Sequence, residues 1–106
     1  MFVAMNSFRV VGGRESDFET TWRNRESQLG GVAGFRRFDL LRGDSEGEYI
    51  SMSTWESREA FVAWTQSDSF VRGHRQGSLA GVLKGPPVAS LYEVVLSEET
   101  AARVQP

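Results

Sequence analysis

The spacing of apolar residues along this chain switches between the two-residue period of a strand and the longer period of a helix, and the order of switches leaves few folds open. In residues 2–9, Phe2, Ala4, Asn6 and Phe8 fall on one side and Val3, Met5 and Ser7 on the other. After Gly12 and Gly13 the period lengthens. Phe18, Trp22 and Leu29 recur at helical spacing in a polar stretch closed by Gly30 and Gly31, which predicts a helix over 14–28. Residues 35–42 and 49–55 are strand-like, and the intervening GDSEGE predicts a hairpin. Ser57 is placed to cap a helix running through Phe61 and Trp64, with Glu59 in its first turn. Ser67 and Asp68 offer a second cap, predicting a break and a short helix to about residue 76. GSLAGVLKGPP, residues 77–87, is not expected to be regular, and a last strand is expected over 88–96.

Strand, helix, strand, strand, helix pair, strand is the order of a ferredoxin-like α+β sandwich, a split βαβ fold with a four-stranded antiparallel sheet. Residues 1–97 read as one such domain and 98–106 as a tail. The last strand is largely apolar on both faces: Val88, Ser90, Tyr92, Val94 and Leu96 on one, Ala89, Leu91, Glu93 and Val95 on the other. Helices can cover one face of the sheet, and a twofold partner is the economical cover for the other.

Composition narrows the chemistry. With 106 residues, 40% hydrophobic and 25% charged, the chain builds one core and folds. Its net charge of −2 supplies no basic field, so nucleic acid and anionic membrane surfaces are not expected partners. The absence of cysteine excludes disulfides, iron–sulfur clusters, thiolate zinc sites and cysteine nucleophiles, and fits a reducing cytoplasm. MFVAMNSFRV has no basic lead-in and too short an apolar run for a signal peptide or membrane span. Asp44, Glu46 and Glu48 lack the placement of a calcium loop and read as a solvated hairpin tip. The glycine pairs match neither a phosphate-cradling loop nor a dinucleotide fingerprint, and no nucleophile elbow is present.

Four features remain. His74 is the sole histidine, which excludes multi-histidine metal sites within one chain but not a heme, whose iron needs a single axial ligand. Phe70, four residues earlier, shares its helix face, and Gly73 beside it would let a flat ligand approach the backbone or else begin the unravelling of the helix. Trp64 and Phe61 form the inner face of the preceding helix, where aromatic residues ordinarily pack into a core; the break at Ser67 also leaves Trp64 free to meet His74. Asn6 interrupts an apolar strand face and needs a hydrogen-bond partner, either backbone or ligand.

The stretch TWESREAFVAWTQSDSFVRGH resembles the signature of the IsdG-type heme-degrading monooxygenases, which belong to the antibiotic biosynthesis monooxygenase superfamily. The matching features are Trp55-Glu56-Ser57, Ala60-Phe61, Trp64, Ser67, Phe70 and His74, together with the strand bearing Asn6, Trp22-x-x-Arg25 and Gly34-Phe35. The resemblance implies a homodimer whose sheets pack into an α+β barrel, with a heme pocket in each subunit. Carried over, His74 is the proximal iron ligand, Trp64 presses on the porphyrin and ruffles it, and Asn6 donates a hydrogen bond on the distal side. Phe70 and Gly73 border the heme. Arg25 is a propionate or solvent-side contact, and Arg72 and Arg75 are further propionate contacts. Heme is then both cofactor and substrate, consumed with O2 and electrons from an external reductase, since no flavin or nicotinamide site is visible. Trp22 stands where the family commonly has phenylalanine, and Gly73 where alanine is frequent. Two other activities fit the same fold: cofactor-independent oxidation of a quinol or polyphenol, and heme storage without turnover.

Overall fold

In the computed structural model, which describes residues 1–25, 27–68, 70 and 81–99, the chain forms β1 (Phe2–Arg9), α1 (Glu15–Asn24), β2 (Phe35–Arg42), β3 (Glu48–Trp55), α2 (Arg58–Thr65) and β4 (Val88–Glu93). The strands make one four-stranded sheet in the order β2-β3-β1-β4, and all three pairings are antiparallel. This is the expected ferredoxin-like α+β arrangement, with β1 and β3 central.

Local chemistry sets the element ends. Glu15 in the first turn of α1 reaches back to accept the Gly13 backbone N–H at 2.9 Å. Ser57 caps α2 as anticipated, its hydroxyl accepting the Ala60 N–H at 3.1 Å. The hairpin between β2 and β3 depends on Gly47, whose φ is +80° and where an added Cβ would sit 2.6 Å from the Val10 carbonyl oxygen. That carbonyl belongs to a residue whose N–H donates to the Gly47 carbonyl at 2.8 Å, so the turn is pinned to the end of β1. Gly47→Ala should therefore cost about 2 kcal/mol or more, from left-handed backbone and steric overlap together. Urea denaturation measures it, and an unchanged midpoint would remove the turn's assigned role.

Register places Phe2, Ala4, Asn6 and Phe8 of β1 beside Trp55, Ser53, Ser51 and Tyr49 of β3 on the helix-covered face. The large residues lie at the two ends of this pattern. One core joins Phe8, Val10, Phe18, Tyr49 and Val82; the other joins Phe2, Leu29 and Trp55 with Phe61 and Trp64 packed against them. Between them runs a floor of small side chains, Ala4, Asn6, Ser51 and Ser53.

Three sequence expectations are corrected. The first helix ends at Asn24 rather than 28, with Arg25 extended at ψ 149°. Leu29 has left the helix and fills the second core beside Phe2 and Trp55, so its spacing from Trp22 was coincidental. The last strand ends at Glu93 rather than 96, because its ladder runs along β1 and β1 begins at Phe2, the partner of Glu93. One further bond, from the Val94 N–H to the Met1 carbonyl, closes it; Val95 and Leu96 are 93% and 79% exposed. Val82 and Leu83, in a segment expected to be irregular, dock on the end of β1 through a bridge between Val10 and Leu83, and Val82 is buried.

Candidate functional site

Helix α1 positions the first group. Glu19 and Trp22, three residues apart, turn toward the sheet, the more exposed Arg23 borders them, and the chain leaves the helix in time to lay Arg25 back over Trp22. Trp22 stacks on Phe38 of β2 with ring centroids 5.5 Å apart and 21° between planes, and meets Phe8 and Phe18 edge-on. The Arg25 guanidinium lies 4.6 Å from the Trp22 ring centroid and 5.0 Å from that of Phe38. No carboxylate among the described residues pairs with it. Partial burial pushes its pKa down from the ordinary arginine value, yet it remains cationic.

These side chains line a cleft of about 490 Å³, whose walls also include Leu40, Arg42 and Tyr49. Glu19 is the cleft's one carboxylate among the described residues, and it is fully engaged. It accepts the Tyr49 hydroxyl at 2.5 Å, two bonds from Arg42 at 2.8 and 3.0 Å, and one from Arg23 at 3.1 Å. The Tyr49 hydrogen bond and the Arg42 pairing hold the Glu19 carboxyl below the usual carboxylate range, while burial and the ionised Glu19 push the Tyr49 phenol up. Arg42 is held above its ordinary value by the same pairing with Glu19. Because a depressed carboxyl stabilises the fold above its unfolded pKa, the advantage of wild type over Glu19→Gln should be constant above about pH 5. It should shrink as pH falls below about 4.3 and through the lower folded value. Thermal melts of both proteins across pH 3–7 check this, and a gap independent of pH would show that the carboxylate charge contributes nothing.

The second group comes from β1 and α2. Asn6 lies on the helix-covered face, half-buried, between the Ala4 and Phe8 positions and beside Ser51 of β3. Among the described residues no group hydrogen-bonds its amide, so the backbone partner that would have given it a structural role is not supplied. Leu40 of the cleft wall pairs with Ser51, which pairs with Asn6, so the cleft and Asn6 occupy one row of the sheet about 10 Å apart. Trp64 packs against Trp55 at 5.2 Å and meets Phe70 edge-on at 4.8 Å. Its core packing is thus real. The break after α2 is built as the sequence indicated: the Ser67 hydroxyl donates to the Trp64 carbonyl at 2.6 Å and accepts the Phe70 N–H at 3.2 Å. Arg72, Gly73, His74 and Arg75 lie outside the described residues.

Glu19, Phe38, Leu40, Arg42 and Tyr49 were not singled out from sequence. Each lies on an ordinary amphipathic helix or alternating strand, and only the β2-β3 register brings Arg42 to Tyr49 under Glu19. Arg25 was singled out through the family resemblance, as part of Trp22-x-x-Arg25, and the structure brings the two into contact.

Residues 1–76 match the family model described as antibiotic biosynthesis monooxygenase, more than two thirds of the chain. The chain belongs to the antibiotic biosynthesis monooxygenase family. Among curated relatives it is similar to the mycobilin-producing heme oxygenase of Mycobacterium tuberculosis, 32% identical over 81 residues, covering 74% of this chain and 77% of that one. The staphylobilin-producing heme oxygenase of Staphylococcus haemolyticus is 26% identical over 93 residues, covering 85% and 88%. The structure of the heme-degrader MhuD from M. tuberculosis with two hemes in its active site superposes with a TM-score of 0.77 at 28% identity, over 93% of this chain and all of that one. Among the described residues no helix is long and apolar enough to cross a membrane, and no group of three or more metal-ligating side chains is present.

Proposed function

We propose that this protein is a cytoplasmic heme-degrading monooxygenase that binds heme through His74 and opens the porphyrin with O2 and electrons from an external reductase, releasing iron. The observation that carries the reading is Arg25, with no carboxylate paired to it among the described residues, lying on the stacked Trp22 and Phe38 rings in the wall of the cleft. A flat, apolar macrocycle bearing carboxylates fits that combination: rings for its faces, a cation without a counter-ion for its edge. Similarity to two curated heme oxygenases and to heme-bound MhuD supports the same choice.

When bound, heme supplies both the iron at which oxygen is reduced and the ring that is oxidised. The chain's own residues do the rest. Arg25, with Arg72 and Arg75, holds the propionates, while Phe70 and Gly73 border the ring. Trp64, backed by Trp55 and Phe70, is a stiff wall against which the macrocycle is ruffled. Asn6, on a central strand, has an amide that no described residue engages, so it can donate on the distal side at little reorganisation cost.

The reading includes a homodimer. On the face opposite the helices, Val3 and Met5 of β1, Ile50 and Met52 of β3, Leu41 of β2 and Val88 and Tyr92 of β4 form an apolar surface, with Val88 63% and Tyr92 52% exposed. An apolar sheet face of this extent is normally buried in an assembly, and a twofold copy covers it with its own equivalent.

Hemin titration should develop a Soret band saturating at one heme per chain, and the band should bleach with ascorbate or a reductase in air. Absence of binding would sink the proposal. Oxygen uptake with a quinol and no heme would favour the cofactor-independent oxidation, and a bound heme that survives reductant and oxygen would favour storage.

A further inference from the structure

We propose that the Trp22 indole N–H and the Arg25 guanidinium together form a subsite for the carboxylate of a flat aromatic ligand, with the N–H supplying a directed second hydrogen bond. This deepens the heme reading and rests on it for the ligand's identity, in which case the carboxylate is a propionate.

The first observation is an orphan donor. Trp22 Nε1 is shut off from solvent and has no hydrogen-bond partner among the described residues. Buried polar groups are nearly always satisfied, and a phenylalanine at this position would keep the stacking on Phe38 without an unmet donor. The indole therefore returns its cost only if something delivers an acceptor. The second is the charge beside it. Arg25 lies against the face of the same ring and has no counter-ion among the described residues, so the acceptor that both would share is an anion. The described residues do not provide one: Glu19, the carboxylate among them that lines the cleft, already binds Tyr49, Arg42 and Arg23. The third is the shape of the wall. Trp22 and Phe38 stack nearly parallel, so a planar ligand edge can continue the stack while its carboxylate turns to the two donors. Arg25 stands on extended backbone past the helix end, and its long side chain can swing from the ring face toward the ligand and open the way to the indole edge.

The test follows the three tryptophan indole N–H resonances, with Trp22 assigned by Trp22→Phe. The probes are zinc protoporphyrin IX, its dimethyl ester, and 2-naphthoate as a small aromatic carboxylate. The free acids should move the Trp22 indole proton downfield, and zinc protoporphyrin should bind about tenfold or more weakly to both Trp22→Phe and Arg25→Gln. The dimethyl ester should bind wild type and Trp22→Phe alike. Equal losses for acid and ester would reduce Trp22 to a packing residue and overturn the subsite. A naphthoate shift without porphyrin binding would keep the subsite and end the heme reading. Porphyrin binding with the indole unmoved would do the reverse, and an indole that responds to neither acid would also overturn the subsite.

Discussion

Trp55→Ala should destabilise the fold by about 3–5 kcal/mol, lowering the melting temperature by at least about 10 °C. Trp55, at the end of β3, is 0% exposed and joins two further elements: Phe35 at 5.4 Å where β2 begins, and Phe61 and Trp64 of α2 at 5.8 and 5.2 Å. Its indole N–H donates to the Ser53 hydroxyl at 2.9 Å. Alanine leaves a cavity where the second core closes, and a total stability of about 5–15 kcal/mol makes that a large share. Trp55→Phe should recover most of the loss, because the ring contacts return and only one hydrogen bond is missing. Guanidinium denaturation of the three proteins decides the matter. If alanine cost under about 1 kcal/mol, Trp55 would not be closing that core.

The second large effect separates binding from turnover. His74→Ala should lose the wild-type Soret position and bind hemin at least about tenfold more weakly, since the proposed axial ligand is gone. Asn6→Ala should bind hemin with nearly wild-type affinity and spectrum yet degrade it about tenfold or more slowly, because the lost hydrogen bond acts on the reacting side. Hemin titrations and single-turnover bleaching in air distinguish the two. Wild-type binding and degradation by His74→Ala would refute the ligand assignment, and an Asn6→Ala defect confined to affinity would move Asn6 from chemistry to packing.

How much of this was legible beforehand differs between fold and site. Alternation in β1, the strand-like character of β2 and β3, and the caps at Ser57 and Ser67 are local features, written within a few residues, and the structure reproduces them. Helix and strand ends were less legible. Leu29 kept helical spacing but serves another core, and the apolar run through Leu96 outlasts the strand that could pair with it. Periodicity reports which residues seek burial and says nothing of what they are buried against. Asn6 stood out because it departs from its surroundings, an amide in an apolar strand, whereas the pattern around Trp64 pointed to the core and the family resemblance alone pointed to a site. Glu19, Arg42 and Tyr49 departed from nothing, and their network exists only across a strand pairing.

The amino-acid sequence by itself determined the order of elements, hence the antiparallel ferredoxin-like sheet, because side-chain period and caps act over a few residues of backbone. It also determined the available chemistry: one imidazole, no thiols, and an asparagine where an apolar residue would pack better. Tertiary structure alone decided that large residues gather at the two ends of the sheet and leave a small-residue floor between them. It alone paired Glu19 with both Arg42 and Tyr49 and laid Arg25 over Trp22 and Phe38 with no carboxylate paired to it among the described residues. Those outcomes depend on register between strands distant in sequence, where a shift of one residue would turn Phe38 and Arg42 to the opposite face.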